Sequence, residues 1–205
     1  MARTQHEVSS IMSAAGVITE LFSRITKAVT EQGGVDWSTY RLTRDDGQET
    51  INAIAKEIVR ALGQPMNVIV RYGLPLPEAI RLGHYDAVWT PVAEMKIPVR
   101  PVGVVNQHMI LRHYNRVIKT SAILADLKKY GLRPATLPEL LAVGEQAPEL
   151  QKQFPVVALG QTCRFGTHLC CPELTTDLMQ KTRELVVVPA DTGWPQESRF
   201  LAIPK

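Results

Sequence analysis

Apolar positions in the first part of the chain recur at helical spacing. Across 5–32, Val8, Ile11, Ala15, Ile18, Phe22, Ile25 and Val29 form one stripe, with alternating steps of four and three from Ile11 onward. Val17, Leu21 and Ala28 widen that face, and Gly33-Gly34 ends it. The stripe fits either a self-association helix or the buried face of an ordinary one. A second helix is expected over 47–62. Asp46 and Glu49 have capping-box spacing, and Ile51, Ile54, Ala55, Ile58, Val59 and Leu62 share one face. Gly63 and Pro65 close it. The two helices can pair as an antiparallel hairpin, so 1–64 reads as a helical N-terminal region.

The texture changes after Pro65. NVIVRYG (67–73) is short and β-branched and predicts a strand. A short helix from Pro77 to Leu82 ends at Gly83. Pro75, Pro77, Pro91, Pro98 and Pro101 preclude long elements in this stretch. The run 102–118 predicts one long strand, or two joined by a bend. Ser121 is a candidate cap for a helix over 122–130 that Gly131 ends. Thr136 and Glu139 form a second capping box, ahead of a helix that Gly144 ends. Pro148 opens a short helix that stops before Pro155. Strands are then expected at 155–160, 167–171, 184–190 and 199–205. The expected class is α+β: a helical N-terminal part packed on, or followed by, a mixed and mainly antiparallel sheet over 65–205.

Composition adds limits to this outline. The 205 residues suffice for one large or two small domains, with 45% hydrophobic and 21% charged residues. No window approaches the 18 apolar residues of a membrane span, and MARTQHEVSS lacks a signal-peptide pattern. Three cysteines, an odd number, point to reduced thiols and a cytoplasmic location. The net charge of +3 is mild. Arg112, Arg116, Lys119, Lys128, Lys129 and Arg133 form only a loose basic neighbourhood, which ranks weak nucleic-acid binding third among the readings.

The candidate chemistry gathers in QFPVVALGQTCRFGTHLCC (153–171), which holds every cysteine of the chain. Cys163, His168 and Cys170 are weak metal candidates. Their spacing supplies no second cysteine pair, and on a strand Cys170 and Cys171 diverge. A small Cys/His enzyme site around 163–171 stands as the alternative function, but no motif flanks these thiols. His108 and His113 stand an odd number of positions apart and do not align on a helix or strand. His84-Tyr85-Asp86 is either an acid–base trio or a helix-ending turn. No phosphate-loop or nucleophile-elbow motif occurs, and no cofactor is expected.

PADTGWPQESRF (189–200) carries Asp191, Trp194, Gln196, Glu197 and Arg199 in a turn-rich loop between two apolar strands. Loops held on rigid strands concentrate binding residues. The other reading is a hairpin whose Trp194 covers the edge of the core. The first functional expectation is therefore a non-enzymatic interaction protein. Its contact surface would be the C-terminal sheet and the 189–199 loop, and its partner another protein.

Three segments also carry a resemblance: LRPATLPELLAVG, FPVVALG and the terminal RFLAIPK. They resemble a family of small bacterial proteins sharing LRPATxxELLAxG, FPxVALG and a last RFLAxxK strand, over about 67–205. That family has no established activity, so the resemblance assigns no catalytic residue. It implies only a shared scaffold of caps, helix faces and strands, with a divergent stretch before RFLAIPK. Trp194 and the last strand are also loosely similar to the end of a C-type-lectin-like domain, without its calcium motifs.

Overall fold

The computed structural model describes residues 63–95, 103–191 and 193–205, together with Lys27, Thr30 and Glu31. The chain divides into two units, Met1–Glu57 and Ile58–Lys205. Lys27, Thr30 and Glu31 are helical, and Lys27 pairs with Glu31 at 3.9 Å. The remainder of the expected stripe over 5–32, the helix over 47–62 and their hairpin lie outside the described residues.

The second unit is α+β. Among the described residues its sheet has nine strands. Along it run β1 (Gln64–Tyr72), β3 (Gly103–His113), β11 (Arg199–Pro204), β6 (Val156–Val157), β8 (His168–Thr176), β9 (Arg183–Pro189) and β2 (Ala87–Val88). β5 (Leu132–Pro134) adds to β11 and β7 (Cys163–Phe165) adds to β8. A separate ribbon pairs β4 (Ile118–Lys119) with β10 (Gly193–Trp194). The pairings are antiparallel except β11 with β6 and β2 with β9.

The sheet is covered on both faces, which accounts for the continuous apolar run of RFLAIP. Leu201 and Ile203 enter one core layer; Phe200 and Ala202 enter the other. The first layer is completed by α1 (Leu76–Leu82), α2 (Thr90–Ala93) and α4 (Leu137–Gln146). The second takes Ile123 and Leu127 from α3 (Thr120–Lys129), plus Ile118 and Trp194 from the ribbon.

Several boundaries differ from the sequence reading, each for a physical reason. α3 begins at Thr120 without a side-chain cap, so Ser121 is not its cap. The Thr120 hydroxyl instead donates to the Ala190 carbonyl. α4 runs past Gly144 to Gln146. Gly144 is a notch rather than a stop, because a Cβ there would strike the Tyr85 ring. Residues 148–153 are turns instead of a helix, and only Val156–Val157 of 155–160 are strand. The strand expected at 167–171 continues to Thr176 through Pro172. The Pro172 carbonyl accepts from the Ala158 N–H at 3.1 Å, on the side where β7 has ended and β6 begins. The missing proline N–H falls in that gap, so the ladder to β9 loses no bond. Within 102–118, β3 ends at His113 and β4 is a separate strand.

β1 is the last strand in the sheet order, which explains how Pro65 sits within it. On its outer edge, the Gln146 amide accepts from the Ile69 N–H at 2.9 Å and donates to the Ile69 carbonyl at 2.7 Å.

Candidate functional site

Two polar clusters near the first core layer hold the fold. Glu139 is 0% exposed. It accepts from the Thr136 N–H at 2.6 Å and hydroxyl at 2.9 Å, from Arg133 at 2.7 and 3.1 Å, and from the Tyr72 hydroxyl at 2.5 Å. Burial alone would raise its pKa. The Arg133, Tyr72 and Thr136 bonds outweigh burial and hold the carboxyl below its ordinary value. Arg183 donates to the carbonyls of Gly83 at 2.8 Å and Gly144 at 2.7 Å, and its guanidinium lies 5.2 Å from the Tyr85 ring centre. Asp86 accepts from the Arg183 N–H at 2.7 Å. His84 is exposed at φ 47° in the turn after α1. The His84-Tyr85-Asp86 trio is thus a turn locked to β9, and its members do not converge on a common point.

The basic neighbourhood is partly consumed in the same way. Arg112 is buried and donates to Asp126 at 2.7 Å, and Arg133 is bound to Glu139. Arg116, Lys119, Lys128 and Lys129 remain on the surface. His108 bonds Asn67 at 3.0 Å, while the His113 ring meets the Gln196 carbonyl at 2.9 Å. Burial lowers the His113 pKa.

The residues of the 189–199 loop separate. Trp194 is only 3% exposed, so its ring fills the second core layer instead of forming a contact surface. It stacks edge-on against Phe200 with centroids 5.4 Å apart, and its Nε1 donates to the Thr120 hydroxyl at 2.8 Å. Arg199 lies over the Phe154 ring at 4.6 Å. Gln196 and Glu197 are exposed in the turn before β11. Asp191 reaches the β7–β8 hairpin, where its carboxylate stands 3.6 Å from His168 Nδ1.

That hairpin holds the remaining candidates. Cys163 pairs with Cys170, Arg164 with Leu169 and Phe165 with His168. Cys163, Phe165, His168 and Cys170 therefore share one face, and Arg164, Leu169 and Cys171 the other. Cys171 is buried in the second core layer. Burial, then the nearby Glu173 and cysteines, pushes its thiol far up. Burial also raises Cys163, with Cys170 adding to the shift, and raises Cys170, with Asp191 adding. Cys170 Sγ lies 4.0 Å from the main-chain oxygen of His168, so this contact does not involve the imidazole. A nucleophilic cysteine needs the opposite trend, a lowered pKa beside a base. Among the described residues, no three His, Cys, Asp or Glu side chains are placed to share a metal ion. Cys163, His168 and Cys170 do not form such a set.

Beside the hairpin opens a cleft of about 460 Å³. Thr90, Pro91, Glu94 and Met95 form the α2 wall; Thr162, Cys163, Arg164 and Phe165 form the β7 wall. Glu94 and Arg164 put opposite charges on the two walls. Phe165 is 55% exposed and Leu169 is 44% exposed on the other face of the hairpin. Thr90, Glu94, Arg164, Phe165 and Leu169 were not legible as a group from sequence. The available signal was the Gly166-Thr167 pair, a two-residue turn that sets Phe165 against His168. The turn after β8 also exposes Leu178 and Met179 almost wholly, but these lie outside the cleft.

Compared with protein-family models, curated proteins and solved structures, the chain matches none. Among the described residues, no helix is long and apolar enough to cross a membrane.

Proposed function

We propose that the chain is a non-enzymatic binding protein of the cytoplasm and that its contact surface is the β7–β8 hairpin with the cleft beside it. The partner is another protein, presenting an extended segment to the cleft. The carrying observation is the half-exposed Phe165 at the rim of a cleft with Glu94 and Arg164 on opposite walls. Exposed aromatic and arginine side chains around a concavity are the usual composition of a protein contact. Asp191 and His168 extend this rim, which keeps part of the 189–199 loop at the surface. Burial raises the pKa of the Cys163 and Cys170 thiols, the opposite of the activation a Cys/His enzyme needs, which favours a binding role.

The test is selection of a phage-displayed peptide library on the full chain, with affinities then measured for wild type, Phe165→Ser and Arg164→Glu. Peptides whose affinity falls at least about tenfold in both variants, at unchanged urea midpoints, support the reading. Peptides that bind the variants as well as wild type, or a selection that enriches none, overturn it.

A further inference from the structure

The β7–β8 hairpin sorts the three thiols of the chain into a facing pair and a bystander. Gly166, at φ +59°, supplies the left-handed first position of the two-residue turn. The resulting register puts Cys163 directly opposite Cys170. Opposed residues in an antiparallel ladder have Cα atoms about 4.5–5.5 Å apart. A disulfide spans Cα separations of about 4.4–6.8 Å. The ladder therefore already holds the two residues at bridging distance. Cys171, the next residue after Cys170, faces the opposite layer and is fully buried. Access is also graded: Cys163 lines the open cleft, whereas Cys170 is 2% exposed behind it.

We propose that Cys163 and Cys170 form a reversible cross-strand disulfide by exchange with a small-molecule disulfide such as oxidised glutathione, and that the bond fixes the β7 wall of the cleft. The second half rests on the binding role proposed above. In the first step the Cys163 thiolate attacks one glutathione sulfur. The glutathione S–S bond breaks, one glutathione thiolate leaves, and a mixed disulfide remains on Cys163. The Cys170 thiolate then attacks the Cys163 sulfur and expels the second glutathione. Two protein thiols are oxidised to one disulfide, and one glutathione disulfide is reduced to two thiols. The two protons released by the cysteines end on the glutathione. Bridges of this kind in reducing compartments are transient and respond to redox state. An accessible attacking thiol with a resolving thiol beside it is the geometry of such a response, and the raised thiol pKa values make the exchange slow at neutral pH and faster as pH rises.

The experiment treats the reduced full chain with oxidised glutathione, quenches it in acid, and alkylates it with iodoacetamide in denaturant before mass spectrometry. Wild type and Cys171→Ser are expected to lose two alkylation sites and to yield a fragment joining Cys163 to Cys170. Cys170→Ser is expected to stop at a glutathione adduct on Cys163. Wild type that alkylates at all three cysteines, or that stops at the adduct, overturns the proposal. So does a Cys170→Ser variant that bridges through Cys171. The selected peptides are then titrated against reduced and bridged protein. A difference of at least about tenfold supports the effect on the cleft, and equal affinity overturns that half alone. The bridge is read by mass, so its failure is separate from a failure of peptide binding.

Discussion

The segment Leu132–Gln146 and the hairpin Cys163–Thr176 each bury a carboxylate, and they treat it in opposite ways. Glu139 receives donors from Arg133, Tyr72 and Thr136, and its pKa falls. Glu173 is buried on β8, and burial alone raises its pKa to about 7. One region is electrostatically complete, so its charges maintain the fold. The other carries a carboxyl that burial raises, an exposed aromatic and a loose His168–Asp191 contact. Charged residues are therefore weak guides to function here until their partners are counted. The available surface lies where the internal bonding stops.

Breaking the complete region has the largest expected effect. Glu139→Ala removes the carboxylate that Arg133 and Tyr72 share as an acceptor and should cost about 3–5 kcal/mol, read as a lower urea midpoint. In wild type the contribution of this depressed carboxyl is present above its unfolded pKa and is lost as pH falls through its folded value. Acid titration of stability should therefore flatten in the variant.

Glu173→Gln tests the other side of the comparison, and its sign is reversed. A raised folded pKa gives stability that is complete below the unfolded value of 4.5 and lost as pH rises through about 7. At pH 8 the ionised wild-type carboxyl costs roughly 3 kcal/mol, so the glutamine variant should be more stable there by up to that amount. Near pH 4 the two proteins should unfold together. A variant no more stable at pH 8 would mean that Glu173 is better solvated than its burial implies.

Gly144→Ala asks whether the complete region has space to spare. Alanine favours a helix, yet its Cβ would displace the Tyr85 ring, for a net loss of about 1–3 kcal/mol. Tyr85→Leu in the same background should recover part of it, read by thermal melting. The smallest effect is expected at the open surface. Phe165→Ser should change stability by less than about 0.5 kcal/mol while abolishing selected-peptide binding.

The local parts of this fold were legible in the sequence. The Thr136–Glu139 capping box and the apolar strand RFLAIPK each depend on residues within one turn or strand of each other. The strand through Pro172 was not, because its tolerance depends on where β7 ends and β6 begins. Nor was the role of Gly144, which depends on Tyr85 across the first core layer. The candidate site was half legible. The sequence singled out the cysteine cluster and the 189–199 loop, but their members go to different places. Asp191 reaches the hairpin while Trp194 enters the core. The α2 wall of the cleft comes from Thr90–Met95, far away in sequence, and carries no motif of its own.

Gln146 has a consequence beyond local bonding. The last strand of a sheet is a template on which further chains can polymerise, and long apolar edges are the common route to fibrils. By occupying both main-chain groups of Ile69, this one amide interrupts the edge that another strand would have to pair with. Crowded solutions of the Gln146→Ala protein should accordingly scatter more light over time than wild type.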